Sequence, residues 1–193
     1  MTEFSSAKTH PLEPPGGIVV WFFIFMELLV FALAFLAFFH FRSQDPKAFL
    51  ASQKLLNQPL GLLNTILLLT SGFFVAVASR EWDAGKAARA VRFLHVSMLL
   101  GVLFLVVKGV EYVEKFSNNL LTGTSTFFDF YWLLTAFHAA HVLVGLPLLA
   151  WLTFKIHTGR PFEADGITLK TGAAWWHMCD LVWVLLFPIL YLM

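Results

Sequence analysis

Several ionisable side chains lie inside long apolar runs of this sequence, where a charge is costly and usually has a task. Glu27 stands in the run Trp-Phe-Phe-Ile-Phe-Met-Glu-Leu-Leu-Val-Phe, with no basic neighbour. Desolvation there favours the neutral acid. Two readings stay open: a protonated carboxyl hydrogen-bonded inside a bundle, or a group that meets lipid, an inhibitor or a proton. Lys108 and Glu111 are three residues apart, so a helix places them on one face. Asp129 opens the next apolar run at the same expected depth. These three read as a structural ion-pair cluster, with snorkelling of Lys108 and a transport role as alternatives. His138 and His141 share one helix face, and His177 and Asp180 share another. Imidazole pairs at this spacing can bind metal, but a site needs three or four ligands in a held geometry. The Glu-x-x-His motifs of di-metal bundles are absent. Haem ligation by one histidine stays open. The reading adopted is interhelical hydrogen bonding, which polar groups in lipid require.

The elements that must position these residues are membrane helices. The chain has 193 residues, of which 59% are hydrophobic and only 13% charged. Soluble domains carry about 25% charged residues, so this surface cannot face water throughout, and a soluble enzyme is excluded. Five apolar runs, 18–41, 60–79, 91–112, 127–154 and 174–193, each reach the roughly 20 residues needed to cross a bilayer. A backbone in lipid must close its own hydrogen bonds, so each run is expected to be helical. The expected architecture is an all-α integral membrane protein, a bundle of five transmembrane helices over residues 18–193. A polar tail, residues 1–17, precedes it. It lacks the basic start, short apolar core and cleavage site of a secretory signal, and is expected to stay on the protein.

Gly72, Gly101 and Gly145 suit close helix contact. Pro147 and Pro188 are expected to kink their helices or free carbonyls. Trp132 and Trp175 suit an interfacial belt, and His40, His95 and His157, at run ends, the interface. The single cysteine, Cys179, excludes an intramolecular disulfide and reads as a small buried hydrophobe. The net charge of +1 gives no electrostatic case for a nucleic-acid partner. Basic residues are distributed unevenly. Lys8, Arg80, Lys86, Arg89, Arg92, Lys155, Arg160 and Lys170 fall on one expected side, and Arg42, Lys47, Lys54 and Lys115 on the other, eight against four. The positive-inside rule then predicts a cytoplasmic N-terminus and a C-terminus outside.

The polar residues form an ordered pattern. Trp21 to Glu27, followed by Phe31, opens it; Asn64, Thr65, Leu68, Ser71 and Gly72 follow. Gly101, Phe104, Glu111 and Tyr112 mark the third run, and His138, His141, Val142 and Gly145 the fourth. Trp176, His177, Asp180 and Trp183 mark the fifth. In this order, from about residue 18 to the end, they resemble the signatures of subunit III of the haem-copper oxidase superfamily. Two departures stand out. The seven-helix members carry two further N-terminal helices, so the chain resembles the shorter bacterial type, found in some quinol oxidases and in proteins linked to nitric oxide reduction. Lys108 stands where many members have Gln, and Ala139 and Ala140 replace Gly-Leu.

The resemblance implies an accessory, non-catalytic subunit of a respiratory terminal oxidase in a bacterial plasma membrane. Haem and copper are then expected in partner subunits, with no catalytic residue, metal or cofactor in this chain. The expected partners are the catalytic subunit I, other oxidase subunits and phospholipid held in a cleft, with support of sustained, proton-coupled oxygen reduction. Glu27 matches the family's membrane carboxyl that reacts with a hydrophobic carbodiimide, and is the buried carboxyl expected at the lipid cleft. Asn64, Lys108, Glu111, Asp129, His138, His141, His177 and Asp180 are expected to form a structural polar network. A partner of nitric oxide reductase and a small proton or solute transporter are the alternatives.

Overall fold

The computed structural model describes residues 17–159 and 168–193; the tail through residue 16 and the 160–167 part of the last loop, with Lys8 and Arg160, lie outside them. Among the described residues six helices follow one another: α1 (Ile18–Gln44), α2 (Pro46–Gln53), α3 (Gln58–Asp83), α4 (Ala87–Ser117), α5 (Thr126–Thr158) and α6 (Leu169–Phe187). A π turn, Pro188–Leu192, continues α6. The described residues contain no strand. Five of the helices, counting α6 with its π turn, are long and apolar enough to cross a membrane. The all-α five-span architecture predicted from the apolar runs is therefore the fold.

The helices outlast the apolar runs at most ends, because polar residues continue the backbone ladder beyond the hydrocarbon. Local chemistry sets several boundaries. Asn57 accepts from Leu60 N–H at the start of α3, and Ser125 from Phe128 N–H at the start of α5. Thr168 and Thr171 cap α6 reciprocally. Gly159 ends α5 at φ 64°, the left-handed position that glycine occupies without strain. Pro147 lies inside a continuous α5. The short α2 lies in a stretch read from sequence as a polar loop; Asp45 caps it by accepting from Ala48 N–H, and Pro46 takes its first turn.

The bundle is organised around α6. In α6 with its π turn, 56% of the most apolar window is buried, against 17% in α1, so α6 is central and α1 peripheral. One face of α6 and the π turn carries Trp176, Asp180, Trp183, Phe187 and Tyr191, at helical spacing. Each large group meets a small one. The Trp176 indole lies between two glycines, so close that a Cβ on Gly101 of α4 would stand 2.8 Å from the ring and one on Gly145 of α5 2.9 Å. The Asp180 carboxyl lies directly against Gly72 of α3. The Tyr191 and Phe187 rings cover Gly61, where a Cβ would stand 2.8 Å from Tyr191. Hydrogen bonds fix the same register. Trp176 Nε1 donates to Ser71 Oγ at 3.1 Å, Ser71 and Ser97 hydroxyls pair at 2.8 Å, and Trp183 Nε1 donates to Thr65 Oγ1 at 3.0 Å. Helix α1 is attached by a narrower stripe: Ile24, Phe31 and Phe38, seven residues apart, are its buried positions. Phe38 meets Phe49, Phe127 and Phe130 edge-on.

This packing makes a prediction. Gly72→Ala inserts a methyl where the Asp180 carboxyl lies, and is expected to destabilise the chain by about 1–3 kcal/mol. Gly109→Ala, which meets nothing within 4 Å, is expected to be neutral or stabilising by up to about 1 kcal/mol through helix propensity. Helical unfolding of the two variants in detergent checks this, and equal effects would contradict the α6 interface described.

Candidate functional site

A buried ionic cluster is built on Lys108. Helix α4 carries Lys108 and Glu111 to its inner face, one helical turn apart, where they are 1% and 0% exposed. Lys108 Nζ donates to Glu111 Oε2 at 3.0 Å, Tyr191 OH at 2.8 Å and Tyr131 OH at 3.2 Å. Tyr191 OH in turn donates to Glu111 Oε1 at 2.6 Å. The three ammonium donors and both carboxylate oxygens are thereby used. The rings of Tyr112, Tyr131, Trp183 and Tyr191 lie within 5.5 Å of the ammonium, so their π faces also favour the cation. Lys108 does not snorkel. The cluster joins α4, α5 and the π turn.

The π turn is held from outside as well. Pro188 has no N–H to give, and Met193 N–H closes a wider loop onto Pro188 O at 3.0 Å. The last carbonyls accept from side chains: Leu190 O from Gln53 at 3.0 Å, Tyr191 O from Gln58 at 2.8 Å, and Met193 O from Arg42. Lys115, counted by sequence among the loop cations, is 1% exposed and donates to Leu55 O at 2.8 Å.

The histidines divide. His138 Nε2 reaches Cys179 O at 3.0 Å, so that nitrogen carries the proton and cross-links α5 to α6. Its ring lies against Phe104 and Trp183. His141 Nδ1 donates to Phe137 O at 2.7 Å on its own helix. That leaves Nε2 facing Glu27 Oε2 of α1 at 3.1 Å, off hydrogen-bond alignment. A neutral His141 with Nδ1 protonated has only a lone pair on Nε2. An attractive contact therefore needs one proton shared by the pair, on the carboxyl or on the imidazole. Glu27 is half-buried and is the polar tie between α1 and α5. His177 Nδ1 pairs with Asp180 Oδ2 at 3.2 Å on α6.

Two members of the expected network are elsewhere. Asp129 accepts from Gly123 N–H at 2.6 Å and so braces the α4–α5 turn; it is not part of the Lys108 cluster. The reason is facing: Lys108 and Glu111 point into the bundle, while Asp129 points to the turn that precedes its own helix. Asn64 is fully buried with neither amide atom hydrogen-bonded. Sequence reading missed Tyr131 and Tyr191 as partners of Lys108, and Trp176 as the inserted ring. The spacing of 176, 180, 183, 187 and 191 on one face was the available signal.

An apolar cleft of about 500 Å³ opens between α1, α3 and α6, lined by Trp21, Ile24, Leu28, Ala76, Met178 and Leu181. Ser79, His177 and Lys170 are its polar lining residues. Glu27, expected at a lipid cleft, is not among its lining residues, because it turns toward α5. Among the described residues no group of three or more His, Cys, Asp or Glu side chains is disposed to hold a metal ion.

Fold and site together define a polytopic helical membrane protein whose buried polar groups tie helices to one another. The model of the family described as cytochrome c oxidase subunit III matches residues 4–193. The chain belongs to that family. It is 32% identical over 205 residues to cytochrome c oxidase subunit 3 of Podospora anserina, covering 99% of this chain and 73% of the relative. The subunit 3 of Prototheca wickerhamii is 30% identical over 198 residues, covering 97% and 73%. A probable cytochrome c oxidase subunit 3 of Mycobacterium leprae is 26% identical over 190 residues and matches nearly end to end, 96% and 93%.

Two predictions follow from the polar geometry. Lys108→Met leaves Glu111 buried without its cation and is expected to destabilise the chain by about 3–5 kcal/mol. Lys108→Met combined with Glu111→Leu is expected to lose less than the single variant; a larger loss in detergent unfolding would show that the pair is not mutually compensating. At the second tie, Glu27→Gln can donate an amide N–H to His141 Nε2 and should preserve the α1–α5 spacing. Glu27→Leu should widen it, as read by spin-label distances between the two helices; no difference between the variants would remove Glu27 as the tie.

Proposed function

We propose that this chain acts as the accessory subunit III of a respiratory haem-copper terminal oxidase, packed on the catalytic subunit I and supporting sustained, proton-coupled oxygen reduction. The observation that carries the reading is the family match along residues 4–193, with relatives named as cytochrome c oxidase subunits at 97–99% coverage of this chain. The same names do not favour the nitric oxide reductase alternative. The side chains accord with the accessory role. Lys108 and Glu111 are committed to the tyrosines around them, and His138 to a backbone carbonyl. In this reading haem and copper belong to partner subunits, and this chain contributes a packing surface and a lipid site.

The cleft between α1, α3 and α6 has the chemistry for a phospholipid tail, with Lys170, in the first turn of α6, where a headgroup would lie. The peripheral α1, exposing Phe22, Phe25, Leu29, Leu33 and Leu36, offers apolar area to lipid or to a partner helix. Close packing and interhelical hydrogen bonds, more than apolar area, would secure such a partner in a bilayer. In this reading the membrane is a bacterial plasma membrane, and the basic bias supports an orientation with the α3–α4 turn on the cytoplasmic side and Met193 outside.

Deleting this chain is expected to leave the haem-copper absorption spectrum of the oxidase intact while activity declines faster during continuous turnover. Loss of that spectrum with subunit I still present would refute the accessory role. Reporter fusions in the α3–α4 turn and after Met193 should report opposite sides of the membrane, with the turn inside; a reversed result would overturn the orientation.

A further inference from the structure

A second cavity, of about 350 Å³, lies at the α3–α4 end of the bundle, lined by Glu81, Arg89, Arg92, Phe93 and Val96. It shares no residue with the cleft beside α1. Glu81 of α3 holds Arg89 at 3.6 Å and Lys86 at 3.9 Å. Both separations exceed hydrogen-bond length, and Glu81 Oε2 has no hydrogen-bond donor. The carboxylate thus sets the position of Arg89 without consuming its N–H groups. Arg92, one turn further along α4, makes a long Nε contact to Ala88 O at 3.4 Å, and among the described residues no carboxylate pairs with it. Two guanidinium forks therefore border one cavity with donors to spare.

What lies beneath them is apolar. Arg89, Arg92, Val96, Leu99 and Leu103 follow at helical spacing along one stripe of α4. Val96, Leu99 and Leu103 are exposed large hydrophobics, and Phe93 stacks on Phe74 beside them at 5.9 Å and 14°. From Arg92 to Leu103 the stripe runs about 16 Å at 1.5 Å per residue. That is close to the roughly 15 Å depth of one leaflet of hydrocarbon. Two cations at the membrane edge above an apolar track one leaflet deep have the outline of a single amphiphile with an anionic head. Guanidinium is weakly hydrated and matches phosphate oxygens in pairs.

We propose that this cavity is a binding site for an anionic phospholipid, its phosphate on Arg89 and Arg92 and one acyl chain along Phe93, Val96, Leu99 and Leu103. The site rests on the membrane assignment alone and stands whether or not the oxidase assignment does.

The test uses the purified complex containing the full chain, reconstituted in phosphatidylcholine vesicles. A minor fraction of phosphatidylglycerol carries a photoactivatable group near the end of one acyl chain. The same group on phosphatidylcholine is the control, and cross-links are mapped by mass spectrometry. The phosphatidylglycerol probe is expected to label the 93–103 segment at least about tenfold more than the control, since basic residues near the surface attract an anionic lipid. Arg89→Gln with Arg92→Gln should bring labelling down to the control level. Glu81→Gln, which removes the only acid lining the cavity among the described residues, should raise it, and so tests the site in a variant that keeps both arginines. Equal labelling by the two probes, or no response to either substitution, would overturn the proposal. Excess inorganic phosphate should leave the labelling in place; its loss would mean a free-anion site and would also overturn the lipid assignment.

Discussion

The structure depends on one row of contacts: the large side chains of α6 seated on the small residues of α3, α4 and α5. In lipid, apolar area gives no net drive for two helices to meet, because the tails they would displace are as apolar as they are. Association must come from dispersion at close range and from hydrogen bonds. Trp176 supplies both. Its ring fits only because Gly101 and Gly145 lack side chains, and its N–H reaches the Ser71–Ser97 pair that joins α3 to α4. Asp180 repeats the arrangement on Gly72, and Trp183 repeats the hydrogen bond on Thr65. These contacts fix the axial register of α6, since a shift of one turn would set each large group against residues that carry side chains.

That register gives the Lys108 cluster its geometry. A buried ammonium and carboxylate are costly unless paired and fully hydrogen-bonded. Glu111 alone cannot use three ammonium donors. Tyr131 from α5 and Tyr191 from the π turn complete the set, and Tyr191 arrives only if α6 is seated. The Pro188 interruption serves the same end, since the wider turn carries the Tyr191 hydroxyl to Glu111 while Gln53, Gln58 and Arg42 satisfy its carbonyls. Side chains from α1, α2 and α3 thereby clamp this turn.

Against this rigid core, α1 is held differently. Its buried residues recur every seventh position, and its polar tie to α5 is the Glu27–His141 pair. Its other flank borders the apolar cleft that also meets α3 and α6. The chain therefore combines a tightly keyed four-helix unit with one more loosely attached helix. An accessory subunit that packs on a larger partner and holds lipid would be served by that combination.

Some of this was legible in the sequence because it depends on a quantity that a sequence states directly. Run length and apolarity fixed the five spans, since a bilayer has one thickness and demands helices to cross it. The i, i+3 spacing placed Lys108 with Glu111 and His177 with Asp180 because neighbours on a helix turn are neighbours in any fold. The ordered signatures also indicated the family before any coordinate. Other features required the tertiary structure. Asp129 looked level with Lys108 by residue count, yet faces its own turn, since depth along the membrane does not specify the facing of a side chain. Glu27 was left open between the bundle interior and lipid, and the structure turns it to His141, because Phe31 and Phe38 docking on α2 and α5 sets the rotation of α1 about its axis. Lys115 read as a loop cation and is buried under Leu55, because a chain passing over it in space leaves no mark in the residues beside it. The sequence by itself determined which segments cross the membrane and which residues share a turn. The tertiary structure decided which helix each polar group meets, because partners 80 residues apart, such as Tyr191 and Glu111, are chosen by helix rotation and register, which arise only from packing.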